Sequence, residues 1–158
     1  MLTRGFSVFL AFLRIAAGLS LLLAGLHKLA WFRSPPLQQM FAGWSAHAAN
    51  PLVAKYLGLV APHHGLLAKL VVVGELGLGA LLVAGFLTPL AALLGFLMVL
   101  QFQFASSAMF SLDYLGGQSG LAYLLVFPVL FFGRAGTALG VDGMLSRGGG
   151  GAQRKPGA

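Results

Sequence analysis

The sequence predicts an all-α integral membrane protein, a four-helix bundle with an extracytoplasmic interfacial helical segment between spans one and two. Hydrophobic residues make up 58% of its 158 residues and charged residues only 8%, whereas soluble domains carry about 25% charged residues. The chain also carries no formal charge from Leu76 to Leu112, which is room for two crossings of about 20 residues each. Both observations favour a fold inside lipid.

The first span is predicted over residues 6–31. This apolar run is longer than the apolar region of a secretory signal, and no small-residue cleavage site follows it. We therefore expect a permanent span that belongs to the mature protein.

The connection from Phe32 to His64 is too long for a simple turn and should have structure of its own. Ser34 before two prolines suits a helix start, and apolar residues follow at helical spacing: Leu37, Met40, Phe41 and Trp44. Asn50 and Pro51 end this pattern, and a second short helix is predicted over 52–60. The regular spacing favours interfacial helices over the alternative, a loose loop.

Two further spans are predicted over 65–87 and 89–110. They meet at Pro89, which lacks a helical N–H and restricts the residue before it, so the two spans should form a hairpin. The fourth span, 118–134, is short for a crossing and reaches full length only if Arg134 extends its charge to the headgroups.

The net charge of +7 would suggest nucleic-acid binding in a soluble protein. Here the Lys and Arg residues near the two chain ends indicate membrane topology instead, because such residues accumulate on the cytoplasmic side. We expect both termini in the cytoplasm, membrane lipid as a partner and no nucleic acid. Residues 1–145 form one membrane domain in this interpretation, and residues 146–158 form a glycine-rich basic tail.

Cysteine and histidine limit the possible cofactors. The chain has no cysteine, which excludes disulfides, thiolate chemistry and cysteine-ligated clusters. Metal or haem ligation within a bundle needs histidines at matched depth on facing helices, and of the four histidines only His27 lies in a predicted span. The sequence therefore predicts no metal site, and interfacial histidines are favoured over ligands.

One polar residue in each predicted span falls at a similar depth. A rise of 1.5 Å per residue puts Arg14 at roughly 12 Å, Glu75 at roughly 18 Å, Gln101 at roughly 16 Å and Tyr123 at roughly 15 Å from the terminal side. Charges at such depth usually face the bundle and pair, so Arg14 and Glu75 are predicted to form an ion pair. A structural role and a functional role for this pair both stay open.

Gln101 and Gln103 are about 200° apart on a helix, so they cannot both face the bundle interior. An amide that faces outward is costly in lipid and is better placed against another subunit. Small residues beside the charged positions, namely Gly18, Gly25 and Gly79, should allow close helix approach.

Several motifs in order resemble those of the DoxX/DoxD family of small four-helix bacterial membrane proteins. They are Arg14 with Gly18, Gly25 and Lys28, then Gly74-Glu75-Leu76 with Gly79, then Gly133-Arg134-Ala135-Gly136 and Gly140-Val141-Asp142-Gly143. The resemblance covers the chain to about Leu145. It implies a four-helix bundle in the bacterial inner membrane and an association with membrane oxidoreductases, because DoxD-like proteins form a subunit of thiosulfate:quinone oxidoreductase.

The resemblance makes Arg14, Lys28, Glu75 and Asp142 the positions of interest. The leading hypothesis is an integral membrane subunit of a larger electron-transfer or oxidoreductase complex, with other membrane subunits as partners. A quinone is the possible cofactor; Glu75 and Arg14 are the candidate catalytic residues, and Tyr123 and Gln101 the candidate quinone contacts. The alternatives are an accessory structural subunit without chemistry and a stand-alone enzyme.

Overall fold

Helices form the architecture of the chain. The computed structural model describes residues 4–111, 114, 119–133, 135–137 and 139–148, and this part is helical without strands. The helices are α1 (Arg4–His27), α2 (Leu37–Ala46), α3 (Pro51–Val60), α4 (His64–Ala84), α5 (Thr88–Ala105), α6 (Ser119–Phe132) and α7 (Val141–Gly148), with short 3₁₀ turns at Leu29–Phe32, Ala61–His63 and Ala108–Phe110.

Three stretches are long and apolar enough to cross a membrane: Gly5–His27, Pro51–Ala84 and Thr88–Ala105. The helical membrane architecture is therefore confirmed. The apolar helix Gly120–Phe132 is shorter, and at 1.5 Å per residue α6 spans about 21 Å of a hydrocarbon core of about 30 Å. Arg134, which was predicted to extend this span, lies outside the described residues.

Glycines set the register between the antiparallel helices α1 and α4. A Cβ on Gly18 would lie 2.8 Å from the Gly79 carbonyl oxygen, and a Cβ on Gly79 would lie 2.8 Å from that of Gly18. About two turns further along α1, Gly25 packs against Leu76 and the Cβ of Glu75. The predicted close approach at these small residues is confirmed, and it places Glu75 opposite Gly25.

The segment between α1 and α4 contains the two predicted short helices, now seen as α2 and α3. Asn50 caps α3, because its Oδ1 accepts a hydrogen bond of 3.1 Å from the Val53 N–H; Pro36 precedes α2, which has no side-chain cap. The buried residues of this segment form a second core with the bundle: Leu37, Phe41, Val53, Leu57, Ala68 and Ala105. The apolar stripe thus packs onto α4 and α5.

The predicted hairpin between α4 and α5 turns at Gly85, Phe86 and Leu87. Gly85 has φ +67°, the left-handed conformation that ends helices, and the Phe86 N–H donates to the Leu81 carbonyl at 3.0 Å. Leu87 is also left-handed, with φ +49°, which costs energy for a residue with a side chain. Contacts from elsewhere must hold this turn.

Those contacts come from the C-terminal segment, which returns to the α4–α5 turn. The Asp142 N–H donates to the Gly85 carbonyl at 2.9 Å, and the Gly143 N–H donates to the Gly136 carbonyl at 3.1 Å. Helix α7 ends at Gly148, so the first three residues of the predicted tail are helical, and residues 149–158 lie outside the described part.

Candidate functional site

Buried polar side chains form two groups at opposite ends of the α1–α4 contact. The first, which we name the Arg14 cluster, contains Arg14, Asp142 and the backbone around them. Arg14 is fully buried; its Nη2 donates to the Leu139 carbonyl at 2.9 Å and its Nη1 to the Ala135 carbonyl at 3.4 Å. A cation in the middle of α1 thus binds the backbone of the C-terminal segment.

Asp142 completes this cluster, because its side chain caps the start of α5 although the two are 54 residues apart in the chain. Its Oδ1 accepts from the Leu87 N–H at 2.9 Å and its Oδ2 from the Thr88 N–H at 3.0 Å. The carboxylate also interacts electrostatically with Arg14. Gly85 and Gly140 lie directly against the guanidinium, because a Cβ on either would overlap Nη1. The Arg14 guanidinium therefore packs directly against the backbone at Gly85 and Gly140.

The second group surrounds Glu75 in the middle of α4. Glu75 is 7% exposed and its Oε1 forms an ion pair with the Nζ of Lys28. The same Nζ lies 5.4 Å from the ring centroid of Trp31, within cation–π range. Glu75 Oε2 is buried and has no hydrogen-bond partner within the described part of the chain. One oxygen of a buried carboxylate is thus left to bind something else.

Glu75 lines a cavity of about 360 Å³, which we name the Glu75 cavity. Its polar wall residues are Lys28, Glu75, Gln103 and Tyr123, and its apolar wall residues are Leu21, Ala24, Trp31, Met40, Met98, Val99, Phe102 and Gly120. These residues come from α1, α2, α4, α5, α6 and the turn after α1. Mostly apolar walls with a few converging polar groups are typical of a small-molecule site.

Two local features hold the polar walls of the cavity in place. The Tyr123 hydroxyl shares a hydrogen bond with the Ser20 hydroxyl, and the Tyr123 ring stacks on Phe127 with centroids 5.7 Å apart. The Gln103 amide packs over Gly120, because a Cβ on Gly120 would overlap it. The missing side chain at Gly120 thus makes the space in which Gln103 faces the cavity.

The predicted ion pair between Arg14 and Glu75 is wrong. Glu75 pairs with Lys28, whereas Arg14 lies beside Gly85 at the end of α4. Ten residues of helix and turn separate Glu75 from Gly85, which corresponds to roughly 15 Å along the axis. The depth estimate assumed that all spans begin in one plane, but α1 continues about ten residues beyond the level at which α4 ends.

The predicted polar layer of four residues is wrong for the same reason, and Gln101 also faces elsewhere. It lines a separate groove with Tyr56, Leu97, Leu100, Phe104 and Met109. The expectation that Gln101 and Gln103 face different directions is confirmed, but Gln103 is the one that joins Glu75 and Tyr123. The catalytic roles of Arg14 and Glu75 and the quinone contact of Tyr123 stay predictions; Gln101, the other predicted quinone contact, does not line the cavity that contains Glu75 and Tyr123.

Lys28 was not predicted as the partner of Glu75, although helical spacing contains the signal. At 100° per residue, Lys28 falls within about 80° of Arg14, Gly18 and Gly25 on the helical wheel. The sequence contains no such signal for Trp31 and Met40. These residues line the cavity only because the segment between α1 and α4 folds back onto the bundle. Their place follows from tertiary structure.

The histidines make local contacts. His47 and His64 each have Nδ1 at 3.0 Å from a backbone carbonyl, that of Gly43 and that of Ala61 respectively. Within the residues that the structure describes, no group of three or more His, Asp or Glu side chains is placed to hold a metal ion.

Comparison with known proteins gives one match. A family model described as DoxX matches residues 9–108, which contain α2, α3, α4, α5 and nearly all of α1, with Arg14, Lys28 and Glu75 among them. No curated protein and no solved structure matches the chain at a significant level. The matched region ends before Tyr123 and Asp142.

Proposed function

The chain belongs to the DoxX family of membrane proteins, and from this premise we propose that it is a quinone-binding subunit of a larger membrane electron-transfer complex. The observation that carries the proposal is the Glu75 cavity, in which a buried carboxylate has one oxygen without a partner. Buried polar groups are costly unless they are hydrogen-bonded, and a bound ligand would supply the missing bond.

The chemistry of the cavity walls fits a quinone head group. A planar ring can pack against Trp31 and Phe102, and Met98 adapts to irregular apolar shapes. The volume of about 360 Å³ lies in the range of small-molecule sites. The Gln103 amide and the Tyr123 hydroxyl can both donate to a carbonyl oxygen, so the cavity offers apolar contact for the ring and hydrogen bonds for its oxygens.

In this proposal, a redox group of a partner subunit carries the electrons. The chain has no cysteine, so it cannot ligate an iron–sulfur cluster through thiolates. Its own residues would bind the quinone, exclude water and handle protons. Glu75 would accept the proton that a bound quinol hydroxyl releases when the partner takes its electrons, and Lys28 lies beside the carboxylate as its counter-ion.

We further propose that the protein lies in the bacterial inner membrane with both termini in the cytoplasm, so that α2 and α3 face outward. The cation distribution supports this orientation. In this cysteine-free chain, single S45C and S146C substitutions can report it. An impermeant thiol reagent applied to intact cells should label S45C and leave S146C unlabelled. Labelling of S146C alone would reverse the orientation.

The functional test is Glu75→Gln in the complex isolated with mild detergent. This change keeps the shape of the side chain and removes its titratable group, so quinone turnover should fall strongly while subunit stoichiometry stays unchanged. Gln101→Leu, on another face of α5, is the matched control and should leave turnover unchanged. Wild-type turnover by a stoichiometric Glu75→Gln complex would make the chain an accessory structural subunit, the alternative function.

A further inference from the structure

The Glu75 cavity combines a vacant acceptor with two polar groups that already have partners. Lys28 Nζ is paired with Glu75 Oε1 and lies over Trp31, and the Tyr123 hydroxyl is bonded to that of Ser20. The unpartnered atom is Glu75 Oε2, which is an acceptor when the carboxylate is ionised. Of the buried polar atoms in the cavity wall, this oxygen is the one that has no partner among the described residues.

We propose that the Glu75 cavity selects the reduced form of its ligand, a para-hydroquinone whose hydroxyl donates a hydrogen bond to Glu75 Oε2. This inference rests on the proposed function and adds the redox state that the site prefers. A hydroquinone carries two O–H donors, whereas the oxidised quinone carries only carbonyl acceptors. The oxidised ring would bring a carbonyl lone pair towards the carboxylate and leave Oε2 unpaired.

The remaining polar groups tolerate either redox state. The Gln103 side chain has both an amide oxygen and an NH₂ group, and the Tyr123 hydroxyl can donate or accept. Neither group therefore discriminates between a hydroxyl and a carbonyl at the other end of the ring. Discrimination falls on Glu75, the one wall residue that can only accept while it is ionised.

The size of the preference follows from the kind of hydrogen bond. A hydrogen bond to a charged group stabilises by enough to change affinity about tenfold or more. Selective binding of the reduced form also raises the reduction potential of the bound couple, by about 30 mV for each factor of ten in a two-electron couple. A bound quinol would then be held until a partner's oxidised redox group removes its electrons.

The test uses the purified wild-type protein in detergent, without oxygen, and four ligands with the same ring substituents. They are 2,3-dimethoxy-5-methyl-1,4-hydroquinone, its monomethyl ether, its dimethyl ether and the corresponding quinone. Quenching of Trp31 fluorescence gives each Kd from the titration midpoint, and Trp31→Phe identifies the signal that comes from Trp44. We expect the hydroquinone to bind at least about tenfold more tightly than the dimethyl ether and the quinone.

The outcomes separate this inference from the proposed function. Equal affinities for hydroquinone, dimethyl ether and quinone would overturn the redox preference and leave quinone binding standing. Absence of binding by all four ligands would overturn both. Glu75→Gln should reduce the preference to less than about threefold, since the amide oxygen accepts only a neutral hydrogen bond, and Gln101→Leu should retain it. The wild-type ligand series decides the question even if Glu75→Gln does not fold.

Discussion

The Arg14 cluster and the Glu75 cavity each hold a buried charge, but their surroundings differ. Arg14 donates from both Nη atoms to backbone carbonyls and is packed against Gly85 and Gly140, while its Nε is buried without a partner among the described residues. One oxygen of Glu75 forms an ion pair with Lys28, and the other has no partner among the described residues. The side chain also lines a cavity of about 360 Å³. The first charge binds the protein to itself, and the second is prepared to bind something else.

The surroundings of a buried charge in a membrane bundle indicate its role. Intramembrane ionisable residues are functional candidates by default, and the sequence alone gives Arg14 and Glu75 equal standing. Their surroundings separate them, because a charge enclosed by backbone partners fixes the fold, whereas a charge with a vacant oxygen beside a cavity fits a binding role. Each prediction below tests one side of this contrast.

The largest expected effect is on stability at the Arg14 cluster. Arg14→Met would leave the Ala135 and Leu139 carbonyls without their donor, and each unpaired buried carbonyl costs about 1–3 kcal/mol. We expect the free energy of unfolding in detergent to fall by about 3 kcal/mol or more. Arg33→Met, at an exposed cation, should change it by less than about 0.5 kcal/mol. Equal effects of the two changes would contradict a structural role for Arg14.

The next effect is a coupling between Lys28 and Glu75. Lys28→Met leaves the buried Glu75 carboxylate unpaired, so the double variant with Glu75→Gln should be less destabilised than the sum of the two single variants. The expected interaction energy in denaturation is about 1–3 kcal/mol. Arg14→Met combined with Glu75→Gln should instead be additive within about 0.5 kcal/mol, because distant sites are independent. Additive effects of Lys28→Met and Glu75→Gln, together with coupling between Arg14→Met and Glu75→Gln, would support the Arg14–Glu75 pair instead.

A smaller loss is expected from Asp142→Asn. The amide can replace only one of the two carboxylate oxygens that accept from the Leu87 and Thr88 N–H groups. Loss of half of a helix cap should lower stability by about 1 kcal/mol. Thermal unfolding measures this change, and hydroquinone affinity, measured on the same preparation, should stay at the wild-type value. A change in affinity with unchanged stability would connect the two regions that we separate.

The smallest effect distinguishes the two glutamines of α5. Gln103→Leu removes one neutral hydrogen-bonding group from the Glu75 cavity, so hydroquinone affinity should fall by about two- to tenfold. Gln101→Leu, in the groove beside Tyr56, should leave affinity unchanged. Trp31 fluorescence titrations of both variants make the comparison. A larger effect at Gln101 would assign the ligand to the other groove.

Sequence reasoning succeeded where the signal is local. The proline-induced hairpin at Thr88-Pro89, the break between α2 and α3 at Asn50-Pro51 and the close approach at Gly18 and Gly79 all follow from backbone restrictions or residue size. The outer helices α2 and α3 were predicted from apolar spacing within ten residues. Such features depend on the residue types themselves or on their neighbours in the chain, so a sequence contains what is needed to find them.

Sequence reasoning failed where the depth of a residue in the bundle and the identity of its partner depend on tertiary structure. The helices begin and end at different levels, so counting residues from an assumed common plane put Arg14 level with Glu75. The choice of Gln101 over Gln103 depended on the rotation of α5, which Gly120 on α6 helps to settle. Asp142 caps a helix that begins 54 residues earlier, and no local pattern indicates that contact.

The distant cap also sets an order of events during synthesis. The Thr88 N–H receives its acceptor from a residue 54 positions later in the chain, and at about 5–20 residues per second that residue is made about 3–11 seconds afterwards. During this interval the start of α5 has neither its cap nor the backbone contacts that hold Leu87. The α4–α5 hairpin therefore cannot reach its final form when it is first made. The time at which this hairpin becomes complete is set by the synthesis of the segment that contains Asp142.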